Sequence, residues 1–317
     1  MTSSSSDNAR LDEAARAGWL YYIAGHTQDE IARQLKVSRA TVQRLVSLCL
    51  SERLITFRLE HPIAACMDLA TRLIDRFELR TCEIVPTDPA APTSVAGVAE
   101  RAASLLETTL RSPKPAIVAI GTGRAMRAAV EQVPPMDRPD HQLVSLVSNI
   151  AIDGSATFFD TVGRLAELTK ARHYPTPLPV LMSSEAERDR MLAMEPVARV
   201  HALAGRADLR LVGVGQMDRQ AQLHVDGFVS RTELSELIRL GAVGELTGWA
   251  FDGRGRFLKG GTNRRLTSIP HPAPAVTSTV AVALGPAKGP AIRAALAGRL
   301  VNGLITDEAT AKALLAS

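Results

Sequence analysis

From residue 81 to the end of the chain, short apolar runs alternate with amphipathic stretches, and this alternation restricts the fold more than any other feature. TCEIVPT, PAIVAIG (115–121), LVSLVSNIA (143–151), DLRLVGVG (208–215), GELTGWAFD (244–252), STVAVALG (278–285) and GLITD (303–307) read as strands. Residues 96–112, 158–171, 184–195, 230–241, 290–300 and 308–316 read as helices, and 121–133 as a loop and helix. HYPTPLPVLM reads as a proline-punctuated connection. Near-continuous apolar strands joined through helices imply a mainly parallel, doubly wound α/β sheet covered on both faces. No internal repeat appears at a fixed period.

The N-terminal part follows a different pattern. In TQDEIARQLKVSRATVQR (27–44), Thr27 caps a helix and Glu30 completes a capping box. Ile31, Ala32 and Leu35 share one face, and Lys36-Val37 leaves room only for a tight turn. Ser38 caps a second helix that buries Val42, Leu45, Val46 and Cys49 and turns Arg39, Ala40, Gln43 and Arg44 outward. This is the pattern of a helix-turn-helix DNA reader, since Arg and Gln read guanine and adenine edges in the major groove. A plain helical hairpin with a polar face is the alternative. The candidate DNA contacts are Thr27, Gln28, Lys36, Ser38, Arg39, Ala40, Thr41, Gln43 and Arg44. A preceding helix over 10–24, with Ala15, Trp19 and Tyr22 at core spacing, completes an all-α unit.

Charge supports that reading by its distribution. The net charge is only +4, but Arg33, Lys36, Arg39, Arg44, Arg53 and Arg58 face only Glu52 between Ile31 and Leu59. Such an excess attracts phosphates and makes binding salt-sensitive. The expected organisation is a disordered tail over 1–9, a DNA-binding domain over 10–60 ending in an ITFRL strand, a helix over 61–80, and an effector domain over 81–317. The 62–80 helix places Ile63, Met67, Ala70, Ile74 and Phe77 on one side, and serves as a linker, a pairing element or part of its own domain. Cys49, Cys66 and Cys82 are scattered without CxxC spacing, so neither a disulfide framework nor a metal site is expected. No apolar run reaches the roughly 18 residues of a membrane span, and the N-terminus lacks a signal-peptide pattern. A cytoplasmic protein without a cofactor is expected.

In open α/β sheets, ligands bind beyond the carboxyl ends of strands. Three strand ends carry suitable residues. Gly121-Thr122-Gly123-Arg124-Ala125 offers close backbone approach, a hydroxyl and a cation, although it is neither GxGxxG nor a P-loop. A plain strand–helix turn remains the alternative there. Gly213-Val214-Gly215 is a second close-approach loop, and Lys288 in GPAKG (285–289) is a candidate partner for a phosphate or sugar hydroxyl. Asp307-Glu308 most simply favours the dipole of the last helix.

The segments TQDEIARQLKVSRATVQRLV, VAIGTGRAM, ADLRLVGVG, LGAVGELTGWAFDGRG and LGPAKGPAIRAALAGRLVNGLITDEATAKALL together resemble the SorC family of bacterial sugar-responsive regulators, related to DeoR-type repressors. The resemblance runs from about residue 10 to the end. It implies a Rossmann-like effector domain akin to sugar-phosphate isomerases, and operator double-stranded DNA as a partner. It also implies a sugar, polyol or sugar-phosphate effector and a homotetramer, with a dimer of dimers as one arrangement. The family's anion loop falls on Gly121, Thr122, Gly123 and Arg124, and its strand-end lysine on Lys288. Ala125 stands where many relatives carry a threonine, and SNIAIDG replaces a strand end that often reads Gly-Gly. The missing hydroxyl leaves an unphosphorylated effector open.

The expected function is a transcriptional regulator of a carbohydrate or polyol catabolic operon, without catalysis. An isomerase or deaminase fused to a DNA-binding domain would need a general base, for which Asp208, Asp226, Asp252 and His224 are candidates. Asp252 also counts among the candidate effector contacts. A recombinase would need a carboxylate cluster for two metals, and the isolated acidic residues show none.

Overall fold

The structure is a computed structural model that describes residues 3–55, 63–150, 154–155 and 160–316. Its contacts divide the chain into two units, Met1–His61 and Pro62–Ser317.

In the first unit, α1 (Ser3–Gly18) runs into one wider, π-type turn at Trp19–Ile23, followed by α2 (Gln28–Leu35) and α3 (Arg39–Ser51). The helix therefore begins at Ser3, inside the stretch expected to be a disordered tail. The expected inner face of α1 is also shifted: Ala14, Ala17 and Leu20 are buried, while Trp19 is 56% exposed and Ala15 faces solvent. Both stripes have helical spacing, and close packing decides between them. Gly18 lies against α3, where the Cβ of Cys49 is 3.0 Å from where a side chain on Gly18 would begin. Small residues belong on that side, and Trp19 does not fit there. Ile31, Val42, Leu45, Val46 and Cys49 complete the core. The ITFRL strand falls almost wholly outside the described residues.

The second unit contains β1 (Thr81–Val85), β2 (Ile117–Ile120), β3 (Gln142–Ile150), β4 (Arg172–Pro179), β5 (Leu209–Val212), β6 (Gly215–Gln216), β7 (Ala242–Leu246), β8 (Trp249–Asp252), β9 (Ser278–Val282) and β10 (Gly303–Asp307). Seven of these form one sheet in the order β1-β10-β9-β5-β2-β3-β4, with every pair parallel. Side-chain alternation splits the core in two. Val118, Ile120, Leu209 and Leu211 pack under α5 (Ala96–Arg111), α6 (Arg124–Val130) and α7 (Thr161–Thr169). Ala119, Val212 and Ala281 pack on the other face with α4 (Ala64–Phe77), α9 (Glu195–Gly205), α12 (Gly289–Ala297) and α13 (Glu308–Ala316). The doubly wound sheet and the helical N-terminal unit are those expected from sequence. No described helix is long and apolar enough to cross a membrane.

Four local differences have physical causes. RHYPTPLP is a strand, which tolerates its prolines because β4 is an edge strand bonded only to β3. GELTGWAFD is not one strand but the antiparallel hairpin β7–β8, closed by Thr247 and Gly248 at φ 49° and 92°. A further helix, α9, follows α8 (Glu185–Leu192). In α4 the buried stripe is Cys66, Leu69 and Leu73, with Ala70, Ile74 and Phe77 beside it, while Met67 is 55% exposed. That helix packs on β1 and α13.

Candidate functional site

The helical unit presents a polar edge built by its two caps. Thr27 Oγ1 accepts from the amide of Glu30 at 3.3 Å, and Glu30 Oε2 accepts from the amide of Thr27 at 2.8 Å. The Thr27 amide, and then the Thr27 hydroxyl, which also donates to Oε2 at 2.9 Å, hold the Glu30 carboxyl below its ordinary pKa. Lys36 ends α2 in the left-handed conformation, and Ser38 Oγ accepts from the amide of Thr41 at 3.1 Å to start α3. Arg39, Ala40, Gln43 and Arg44 are exposed on α3 and Thr41 is half-buried. Arg39 makes an exposed ion pair with Asp29 at 3.6 Å, and Arg44 Nη2 donates to Thr41 Oγ1 at 3.4 Å. Gln28 lies in the first turn of α2. Ser38→Ala is expected to lower stability by about 1 kcal/mol, the usual worth of an N-cap. Thermal unfolding beside wild type measures it, and an unchanged transition would mean the cap is not formed.

In the larger unit, strand order brings the ends of β9, β5 and β2 side by side. After β2 the chain winds outward to β3 and β4, and after β5 it reverses toward β9 and β10. The crevice at the carboxyl ends of β2 and β5 is therefore the switch point of the sheet, where ligands of such folds bind. The Gly121 amide donates to Leu211 O at 2.8 Å, and Thr161 Oγ1 donates to Gly121 O at 2.7 Å. Gly123 adopts φ 108° and ψ 173° to start α6 without a side-chain cap. Gly213 lies beside the carbonyl of Thr122. Arg124 is exposed and its guanidinium donates to Gln222 Oε1 on α10 (Gln222–Val225), while Gln222 Nε2 donates to Asp226 Oδ1 at 2.6 Å. Ala125 is half-buried against the α5–α7 core.

Sequence reasoning missed Glu245. It lies opposite Gly215 in the β6–β7 pair, and its Oε2 accepts from the amide of Gly248 at 2.7 Å. Its side chain lies where a Cβ on Gly215 would stand, so any larger residue there would have to push Glu245 aside. Burial pushes the Glu245 carboxyl up, the Gly248 amide and Lys288 pull it down, and Asp226 raises it. Burial pushes the Lys288 amine down, opposed by Glu245 and reinforced by Arg124. Val243 and Glu245 lie on the less buried face of β7, opposite Ala242, Gly244 and Leu246, and no alternation of polar and apolar residue types in the sequence marks that face.

Behind this cradle, the Thr247 methyl lies 3.3 Å from where a side chain on Gly121 would begin, and Thr247 Oγ1 bonds His271 Nε2 at 2.7 Å. Burial, together with the Arg210 charge, pushes His271 down to about 3, so this backing is uncharged. The other expected residues are not gathered here. Asp252 closes its own turn, accepting from the amides of Arg254 and Arg256 and from the Arg256 side chain. Asp208 accepts from the Ile117 amide before β5 begins, at the opposite end of the strands. His224 is held by Val229 O. Of the four candidate bases, Asp226 alone borders the cradle. Among the described residues, no group of three or more His, Cys, Asp or Glu could hold a metal. A cleft of about 470 Å³ lies elsewhere, between Glu185, Glu236, Leu240 and Arg264.

Comparison with known proteins covers both units. Residues 61–316 match the family described as "Putative sugar-binding domain". The chain is 32% identical over 302 residues to the erythritol catabolism regulatory protein EryD of Brucella abortus, covering 95% of this chain and 96% of that protein. It is 30% identical over 316 residues to the transcriptional regulator LsrR of Klebsiella pneumoniae, covering 97% and 94%. The full-length sorbitol operon regulator SorC of Klebsiella pneumoniae superposes with a TM-score of 0.68 at 22% identity, over 96% of this chain and 99% of that one.

Proposed function

The chain belongs to the SorC family of sugar-binding transcriptional regulators, and on that premise we propose which residues carry its function. It is a transcriptional regulator of a carbohydrate or polyol catabolic operon. Arg39, Ala40, Gln43 and Arg44 of α3 enter the major groove of operator DNA, while Thr27, Gln28, Lys36, Ser38 and Thr41 lie against its backbone. The effector occupies the cradle formed by Gly121–Ala125, Gly213, Gly215 and Lys288, to which we add Glu245 and, in place of Asp252, Asp226. The observation that carries this reading is the meeting of the strand-end segments at the switch point of the sheet, where Gly213 lies beside the carbonyl of Thr122, Arg124 reaches Gln222, and the turn carrying Lys288 packs on β6, whose Gly215 lies opposite Glu245.

The protein works without catalysis in the cytoplasm as a homotetramer. Effector binding shifts the balance between subunit arrangements, and does so only as far as it prefers one of them. A thermal-shift screen against sugars, polyols and their phosphates, followed by operator gel shifts with any hit, tests the whole reading. One ligand is expected to raise the melting temperature by mass action and to change operator affinity. A hit that is chemically converted would establish the enzyme reading instead. Light scattering at four times the 33.9 kDa chain mass checks the tetramer.

A further inference from the structure

We infer that the hydroxyl of Thr310, on the last helix, sets the turn that carries Lys288 and so governs effector affinity without meeting the effector itself. Thr310 is then a positioning residue, and the inference rests on Lys288 belonging to the effector site. Lys288 stands in the short turn Pro286–Lys288, between the end of β9 and the start of α12. Gly285 opens that turn at φ 104° and ψ 150°, a conformation that glycine enters freely and other residues do not. A Cβ built on Gly285 meets nothing within 4 Å, so close packing does not hold its backbone in place. Hydrogen bonds do.

Both backbone groups of Gly285 are engaged. Its carbonyl accepts from the Lys288 amide at 3.1 Å, and its buried amide donates to Thr310 Oγ1 at 2.8 Å. Thr310 is fixed in turn by Asp307, whose Oδ1 accepts from the Thr310 amide at 3.1 Å and caps the start of α13. Asp307 Oδ2 accepts from Thr87 Oγ1 at 2.6 Å, and Thr87 Oγ1 accepts from the Ala309 amide at 2.8 Å. Asp307 and Thr310 are both buried. One chain of bonds therefore runs from the segment after β1, through the first turn of α13, to the backbone that places Lys288.

A buried amide that loses its acceptor is costly, because no water replaces the lost partner. Without the Thr310 hydroxyl, the Gly285 amide must turn toward solvent or another acceptor, and the turn moves with it. Lys288 is displaced by that movement, since its own amide is tied to Gly285. Burial holds the Lys288 amine down, while Glu245 and Arg124 act on it in opposite directions. Displacement toward water therefore raises it. A valine at 310 keeps the shape of the side chain and removes the acceptor, whereas a serine keeps the acceptor.

The test compares the full-length protein as wild type, Thr310→Val, Thr310→Ser and Lys288→Ala, each carrying isotope-labelled methyl groups on its lysine amines. The Lys288 signal is the one missing from Lys288→Ala, and NMR follows its titration without any ligand. Wild type is expected to titrate below the ordinary lysine range, Thr310→Val closer to that range, and Thr310→Ser like wild type. Calorimetry with four- to six-carbon alditols, their parent aldoses and the corresponding phosphate esters then reads the effect on binding. Thr310→Val should weaken the probe that wild type binds by roughly tenfold, and should add no loss in the Lys288→Ala background. An unchanged Lys288 titration in Thr310→Val overturns the inference, even where Lys288→Ala weakens the probe and the cradle stands. A loss of equal size with and without Lys288 also overturns it, because it marks general damage. If the titration moves but neither Thr310→Val nor Lys288→Ala changes probe affinity, Lys288 lies outside the effector site, and the cradle reading loses it together with the control of affinity inferred here. Should Thr310→Val not fold, Thr87→Val loosens the same chain from its outer end and must move the Lys288 titration in the same direction; a fixed titration there is equally decisive against the inference.

Discussion

Gly123→Val removes the effector response and leaves operator binding unchanged: this is the result expected from the cradle. At φ 108° and ψ 173° the Gly123 backbone lies where glycine alone is at ease. The cause is conformational and not a collision, because a Cβ built there meets nothing within 4 Å. A side chain therefore forces the loop to another path, and a β-branched one does so most strongly. Strain of about 1–3 kcal/mol corresponds to roughly 5- to 150-fold weaker effector binding if the loop keeps its shape, and more if it does not. Gly123→Ala should show much of the same loss, since the penalty lies in φ and not in size. Operator gel shifts across an effector titration measure both quantities at once. A response at wild-type effector concentration in both variants would place the site elsewhere.

The two capped helices and the alternation of strands with helices were legible in the sequence because each rests on local rules. Thr27 with Glu30, and Ser38 ahead of an apolar stripe, specify caps without reference to the rest of the chain, and Val42, Leu45, Val46 and Cys49 are buried as their spacing requires. What was missed depends on neighbours. The prolines of β4 read as breakers until it is known that the strand lies at an edge. Trp19 reads as core until Gly18 is seen against Cys49. The cradle divides in the same way. Gly121, Gly123, Arg124 and Lys288 follow strands and could be picked out one at a time, whereas Glu245 becomes a candidate only when the hairpin places it over Gly215. Asp252 shows the converse error, since an acidic residue at a strand end can be wholly occupied by its own turn.

Replacing Arg39 or Gln43 by alanine is expected to erode the preference for operator over random DNA by about 1–3 kcal/mol for each base-reading contact. Arg39 and Gln43 stand one turn apart on the exposed face of α3, close to its capped N-terminus, where recognition helices present their base contacts. Arg39 must leave Asp29 to reach a base, and this costs little, because an exposed pair at 3.6 Å contributes at most about 1 kcal/mol. The same exposure means that either substitution should leave thermal stability near wild type, so a loss of discrimination is not a loss of fold. Lys36 sits in the turn before α3. Lys36→Ala should weaken operator and random DNA alike, and lower the slope of log affinity against log salt by about one. Footprinting with salt titration separates the two behaviours. If both substitutions on α3 leave the footprint and the specificity ratio intact, α3 does not read the operator, and the basic residues around it serve only to hold phosphates.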